Sequence, residues 1–269
     1  MNRKFIFDSR LWIGPLGFVG CSLEEGLNFL IGNVSSQSVG HKVQSGISVH
    51  FANAYTVALA DTDLRYQKLL NKGTLVFMDG QAIVWAAKTK YRRESRGCER
   101  VYGPDVMRGI LGAQFDSHRH FLLGSTPTIL NRLESSICRD YPNAKVVGSY
   151  SPPFTEVDDP EELRSRDELI ARVAPTHIWV GLGTPKQDYE VARLARVHKA
   201  FVLGVGAAFD FLSGSSPEAP QIIQTLGLQW AHRLFHEPRR LAKRYLWGNP
   251  RFVWAVLRTL RTTQKSRRR

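Results

Sequence analysis

Residues 178–195 read IWVGLGTPKQDYEVARLA. An apolar run ends at Gly181, a short turn carries Gly183, Thr184, Pro185, Lys186 and Gln187, and a helical pattern follows. An unbroken apolar run is what a strand covered on both faces looks like. Thr184 is expected to cap the following helix and Pro185 to occupy its first position. The free N–H groups of such a helix start, with the positive end of its dipole, make an anion site, and glycine lets a phosphate approach the backbone. Lys186 adds a point charge, and Gln187 can donate or accept toward a ligand. The plainer reading is a tight strand-to-helix turn with a surface lysine, and the turn by itself does not separate the two.

The same strand-turn-helix unit recurs outward from this stretch. ISVHFAN (47–53), TLVFM (74–78), HFLLG (120–124), KVVGSY (145–150), HIWVGLG (177–183) and AFVLGVG (200–206) read as strands. Amphipathic stretches such as TVALADTDLRYQKLL, TILNRLESSICRDY and EELRSRDELIARVA lie between them. Strict alternation of strand and helix implies parallel pairing through crossover helices. The expected fold is therefore α/β: a Rossmann-like layered parallel sheet with helices on both faces, over residues 1–214. After Gly214 the strand pattern stops. Residues 215–269 are expected to form a basic helical appendage, three helices broken at Pro238 and at GNP (248–250).

Charge follows that division. The 269 residues hold 37 Lys and Arg against 24 Asp and Glu, a net of +13. From His232 onward there are ten Arg and two Lys against one Glu, which leaves the first 231 residues nearly neutral. A neutral body with a basic end suggests an appendage that meets an anionic surface. In the last helix Phe252, Val253, Val256, Leu257 and Leu260 recur at helical spacing, with Arg251, Arg258 and Arg261 beside them. Such a face either packs on the body or lies at a membrane surface with its arginines on lipid phosphates. No run of about 18 apolar residues offers a span. Residues 1–20 show no signal-peptide pattern. Three cysteines without CxxC spacing suggest neither a disulfide framework nor a zinc site.

Ligands of open parallel sheets sit beyond the carboxyl ends of the strands. Asp79 follows the strand LVFM and precedes a glycine and a helix, so it can cap that helix, bind a ribose hydroxyl or act as a base. GCERVYGPDVM (97–107) sets Arg100 and Asp105 around a Gly-Pro turn, and Glu99 could simply pair with Arg100. GVGAAFDFLSG (204–214) places Asp210 between two phenylalanines. DTD (61–63) lies in a helical pattern and reads as solvated surface rather than a metal-binding DxD. His232 and His236 have metal spacing but no evident third ligand.

MDGQAIVWAAK, ERVYGPDVM, FLLGSTPTILNRL, VGLGTPKQDYEVAR and the block from GVGAAFDFLSG to EPRRLAKRYLWGNPRFV, in this order, resemble the motifs of the WecG/TagA/CpsF glycosyltransferase family. The resemblance runs from about residue 47 to 253. It implies transfer of a hexose-type sugar, N-acetylmannosamine-like in several members, from a UDP donor to a polyprenyl-diphosphate-linked acceptor, in cell-surface polymer assembly at the cytoplasmic face of the membrane. It implies Asp79 as catalytic base, with Arg100, Gln187 and Asp210 as polar groups of the cleft and Asn53 in the first strand-end motif. It places Arg233, Arg239, Arg240 and Arg244 in an appendage tied to membrane association and completion of the active site, and it permits a homo-oligomer. Gly183, Thr184, Pro185 and Lys186 are the expected substrate turn. Phe51 departs from the threonine that the family often has two positions before the asparagine.

Glycosyl transfer needs an activated hydroxyl and a stabilised diphosphate leaving group. The expectation is metal-independent chemistry, with no cofactor. Two rival classes stand beside it. An NAD-dependent oxidoreductase would want G-x-G-x-x-G between the first strand and helix, and GVGAAF is a partial, late match. A nucleic-acid-binding protein could use the basic end, but no recognition motif appears and no nucleic-acid partner is expected.

Overall fold

The computed structural model describes residues 10–32, 45–73, 75–113, 115–153 and 159–267, the side chains as far as residue 261. The first nine residues of the stretch searched for a signal peptide, Thr74 of the expected strand TLVFM and the side chains of the closing QKSRRR lie outside the described residues.

All six expected strands form. They are β3 (Ile47–Ala52), β4 (Leu75–Met78), β5 (Arg119–Gly124), β6 (Lys145–Tyr150), β7 (His177–Gly181) and β8 (Phe201–Gly204). They make one parallel sheet in the order β4-β3-β8-β7-β5-β6. A preceding antiparallel hairpin, β1 (Arg10–Ile13) and β2 (Leu16–Val19), was not expected. Its signal was present: two short apolar runs flank Gly14-Pro15, and Gly14 supplies a φ of +59° that other residues rarely adopt.

The helices are α1 (Leu23–Gly32), α2 (Ala54–Thr62), α3 (Leu64–Lys72), α4 (Gln81–Lys90), α5 (Gly103–Gly112), α6 (Pro127–Asp140), α7 (Pro160–Val173), α8 (Lys186–Val197), α9 (Ala208–Leu212), α10 (Gln221–Thr225), α11 (Gln229–His236) and α12 (Pro238–Arg267). The stretch expected as one helix through residues 61–63 is two. Asp63 ends the first and caps the second, its carboxylate accepting from the amides of Arg65 at 2.8 Å and Tyr66 at 3.1 Å.

The chain divides into two compact units, one of residues 1–23, 51–102 and 218–269, the other of 24–50 and 103–217. In the first unit the core joins Leu16, Phe18, Tyr66, Leu70, Met78 and Val84 with Phe252 and Ala255 of α12. In the second, Phe121, Ile178, Val180, Val191, Leu194 and Val202 close the sheet under α8. Complete burial of each large apolar side chain contributes about 1.5–3 kcal/mol.

The expected break at 248–250 does not occur: α12 runs on through Pro250. Proline removes one backbone bond and crowds the preceding turn. Packing on either side holds the helix through it, since Leu241, Phe252 and Ala255 are buried and a Cβ at Gly248 would sit 3.0 Å from Tyr55. Of the two readings of this helix, Arg251 and Arg258 fit the packing one. Arg251 and Arg258 both pair with Asp61, whose carboxylate is almost wholly out of water. The first and last residues of DTD are thus an anchor for α12 and a helix cap. The opposite side of α12 leaves Leu246, Trp247, Val253, Trp254 and Leu257 in solvent.

Candidate active site

In the first unit the polar groups gather beyond β4. Asp79 follows its last residue, and its amide donates to Ala52 at the end of β3 at 3.0 Å. The cap position of α4 falls on Gly80, one residue later. Asn53 has two tasks. Its Oδ1 caps α2 by accepting from the amides of Tyr55 at 3.1 Å and Thr56 at 3.4 Å. Its Nδ2 donates to Asp79 Oδ2 at 3.4 Å, so the capping bond fixes the amide that orients the carboxylate.

Cations from the appendage face this corner. The Arg244 guanidinium lies 4.3 Å from the centre of the Tyr55 ring, a stacking distance. Its Nε is out of water with no hydrogen-bond partner among the described residues. Burial, with Arg233 nearby, holds this guanidinium below its ordinary pKa, while the charges of Tyr245, Tyr55 and Asp79 act the other way. Arg233 lies 3.9 Å from Glu237, which Arg240 contacts more closely at 2.6 Å. Arg239 is exposed.

Arg100 is engaged by the appendage rather than by Glu99. It donates to Gln224 Oε1 at 2.5 Å and Gln229 Oε1 at 3.3 Å, and stacks 4.2 Å from the centre of the Tyr102 ring. Glu99 instead accepts from the amide of Leu23 at the start of α1. Burial above all, then the carboxylates of Glu218 and Asp79, pushes the Tyr102 phenol far above its ordinary pKa. Tyr55, Tyr102, Gln224 and Gln229 escaped the sequence reading. Tyr55 lies two residues past Asn53 and Tyr102 two past Arg100, so proximity to a picked residue was the available signal.

In the second unit the turn after β7 differs from its expected form. Pro185, not Thr184, holds the cap position, and no side chain caps α8. Gln187 instead braces the turn from inside. Its Oε1 accepts from the Gly183 amide at 3.2 Å, and its Nε2 donates to the Gly204 carbonyl at 3.0 Å. Gln187 is only 4% exposed, so its amide braces two strand ends. Next to it Asp188 meets the fully buried His50 at 2.9 Å, tying α8 to β3. Gly183 and Lys186 remain exposed; Gly183 has a φ of +78°, and nothing lies within 4 Å of where a Cβ would be. By contrast a Cβ at Gly181 would collide with the Phe209 ring at 2.6 Å, which makes that glycine a packing requirement. Asp210 lies on α9, its carbonyl accepting from the amides of Ser215 and Ser216. Asp105 pairs with Arg108 at 3.1 Å. Among the described residues no group of three or more His, Cys, Asp or Glu side chains is arranged to hold a metal, and His232 and His236 meet ring to ring at 4.6 Å.

Residues 25–266 match the family described as the glycosyl transferase WecG/TagA/CpsF family. The chain belongs to this family. It is therefore a glycosyltransferase, and the corner around Asp79 is its candidate for the acid–base chemistry of transfer. Phe51 is 6% exposed and packs against Phe77 with ring centres 5.8 Å apart. Among the described residues, no helix is long and apolar enough to cross a membrane.

Proposed function

We propose that the protein moves a hexose-type sugar, N-acetylmannosamine-like, from a UDP donor to a polyprenyl-diphosphate-linked acceptor in the assembly of a cell-surface polymer, without a metal. The observation that carries this reading is the Asp79 carboxylate at a strand end, oriented by Asn53, with the unpartnered Arg244 Nε in the same unit. In the step proposed, Asp79 takes the proton of the acceptor hydroxyl as its oxygen bonds to the anomeric carbon. The bond from that carbon to the UDP oxygen breaks, and the pair of electrons leaves on the diphosphate. Arg244 and Arg233 are cations suited to that developing charge. In the second unit, taken by itself, the open turn at Thr184, Pro185 and Lys186 is suited to an anion. Asp61 and Asp63, the carboxylates closest to a DxD pattern, are engaged in the ion pairs and the helix cap already described.

The exposed face of α12, with Phe235 of α11 at 83% exposure, supports docking on the inner face of an anionic membrane. Arg239, Arg240 and Lys243 on the same appendage suit lipid phosphates. Turnover of a panel of UDP-sugars with a short-chain lipid-diphosphate acceptor, with and without EDTA, tests the proposal. Transfer from at least one UDP-hexose that survives EDTA is expected. Loss of transfer with EDTA and its return with Mg²⁺ would refute the metal-independent step, and inertness toward the whole panel would refute the donor class.

A further inference from the structure

Arg100 reaches the appendage through two separate side-chain amides. Gln224 follows the start of α10 and Gln229 opens α11, so one guanidinium spans both short helices. Each amide is itself held. Gln224 Nε2 donates to the Ala219 carbonyl at 2.7 Å, and Gln229 Nε2 donates to the Tyr102 hydroxyl. The Tyr102 ring in turn lies under the guanidinium. Arg100, Tyr102, Gln224 and Gln229 thus hold one another in a ring of contacts.

The inner side of this ring is bonded to the strand that carries Asp79. The Val101 amide, next to Arg100, donates to the Met78 carbonyl at 2.9 Å, one residue before Asp79. On the outer side the turn between α10 and α11 is pinned again, because a Cβ at Gly227 would lie 2.9 Å from the Trp85 ring of α4. From these contacts we infer that Arg100 is a positioning residue, a latch that seats α10 and α11 against the Asp79 strand end. Seating those helices sets where α11 and α12 deliver Arg233 and Arg244. A planar guanidinium suits this task because it offers several donors in fixed directions, so it can hold two amide oxygens at once. A lysine ammonium offers its donors from one point.

The inference rests on the transferase reading only for its effect on turnover, so its test has an arm that needs no substrate. Backbone amide exchange over residues 221–236 would be measured in the full chain and in Arg100→Ala, Arg100→Lys, Gln224→Ala/Gln229→Ala and Asp79→Asn. The latch predicts exchange over 221–236 at least tenfold faster in Arg100→Ala and in the paired glutamine variant, an intermediate rate in Arg100→Lys, and wild-type exchange in Asp79→Asn. Exchange in β4 should not change in any of them. For turnover, combining Arg100→Ala with the glutamine pair should cost no more than the worse of the two alone, because all three residues act as one device. Normal exchange over 221–236 in Arg100→Ala, or multiplicative losses of turnover in the combination, would overturn the latch and leave Arg100 as a substrate contact. If Asp79→Asn keeps full turnover while the exchange results hold, the catalytic assignment fails and the latch stands.

Discussion

Two strand ends of this molecule use the same materials for opposite purposes. Beyond β7, Gln187 spends its amide on the Gly183 and Gly204 backbone, and Asp188 is joined to a buried histidine. Beyond β4, Asp79 is oriented by a side-chain amide while an arginine of the same unit keeps an unsatisfied Nε. The first end has turned its polar groups inward to fix a turn, leaving the glycine and lysine outside. The second sets a carboxylate and a buried guanidinium with an unbonded Nε in one unit, a combination that suits action on a substrate. A polar residue just after a strand is therefore not in itself a sign of chemistry; where its bonds go is what separates brace from reagent.

The largest effect that would sharpen this contrast is on acid stability of the second unit. His118, His120 and His177 pack there edge-on or tilted, ring centres 5.0–6.2 Å apart. Burial, reinforced by neighbouring histidines, holds His120 down to about 4 and His177 well below 6.5, and burial lowers His118 as well. The Trp179 indole donates to His120 Nδ1 at 3.3 Å, a bond that needs that nitrogen unprotonated. Because the folded state resists the proton, the unfolded state binds it first. Stability is full above pH 6.5 and falls between there and about pH 4, by about 3 kcal/mol from His120 alone. Melting followed by far-UV circular dichroism should shift steeply over this window, and His120→Phe should flatten the slope; an unchanged slope would count against the cluster.

Next in size is Arg244→Met, which keeps an apolar stem over Tyr55 while removing the cation. If Arg244 serves the leaving diphosphate, kcat should fall by about 100-fold. The thermal midpoint should hold or rise, since a poorly satisfied charge has left the interior. Gln187→Met should behave the other way. It strands the Gly183 N–H and the Gly204 carbonyl, costs about 2 kcal/mol of stability, and changes kcat per folded molecule far less. Equal effects of the two substitutions on kcat would erase the distinction between the strand ends.

The smallest effect concerns the exposed apolar face. Replacing Leu246 or Trp254 by serine should weaken sedimentation with anionic vesicles by roughly tenfold each, from the apolar area no longer inserted. Replacing the buried Phe252 should instead lower stability and leave vesicle binding per folded molecule unchanged. Unaltered vesicle binding in both serine variants would separate this face from the membrane.

The layered sheet was legible because its strands are uninterrupted apolar runs, each followed by a turn signal. The hairpin was missed because four-residue strands beside Gly14-Pro15 are too short to show a period. The course of α12 was misread for a different reason: Pro250 is a local argument for a break, and the packing of Phe252 and Ala255 that overrides it comes from residues far away in sequence. What was legible of the candidate site was residue type near the ends of apolar runs, at Asn53, Asp79, Arg100 and Gln187. Their division of labour was not, because the partner of Arg100 is 124 and 129 residues away and Gln187 turns inward rather than out. Phe51 shows the same limit. The departure from threonine is visible in the motif, but the packing of its ring beside Phe77 is not.

The most direct test is the single-turnover rate of Asp79→Asn with donor and acceptor both saturating, beside a check that its thermal midpoint matches the parent. The proton-transfer role predicts a rate at least about 100-fold lower in a fully folded protein. A rate within about threefold of the parent, far less than the loss of a general base brings, would contradict it and move the base elsewhere.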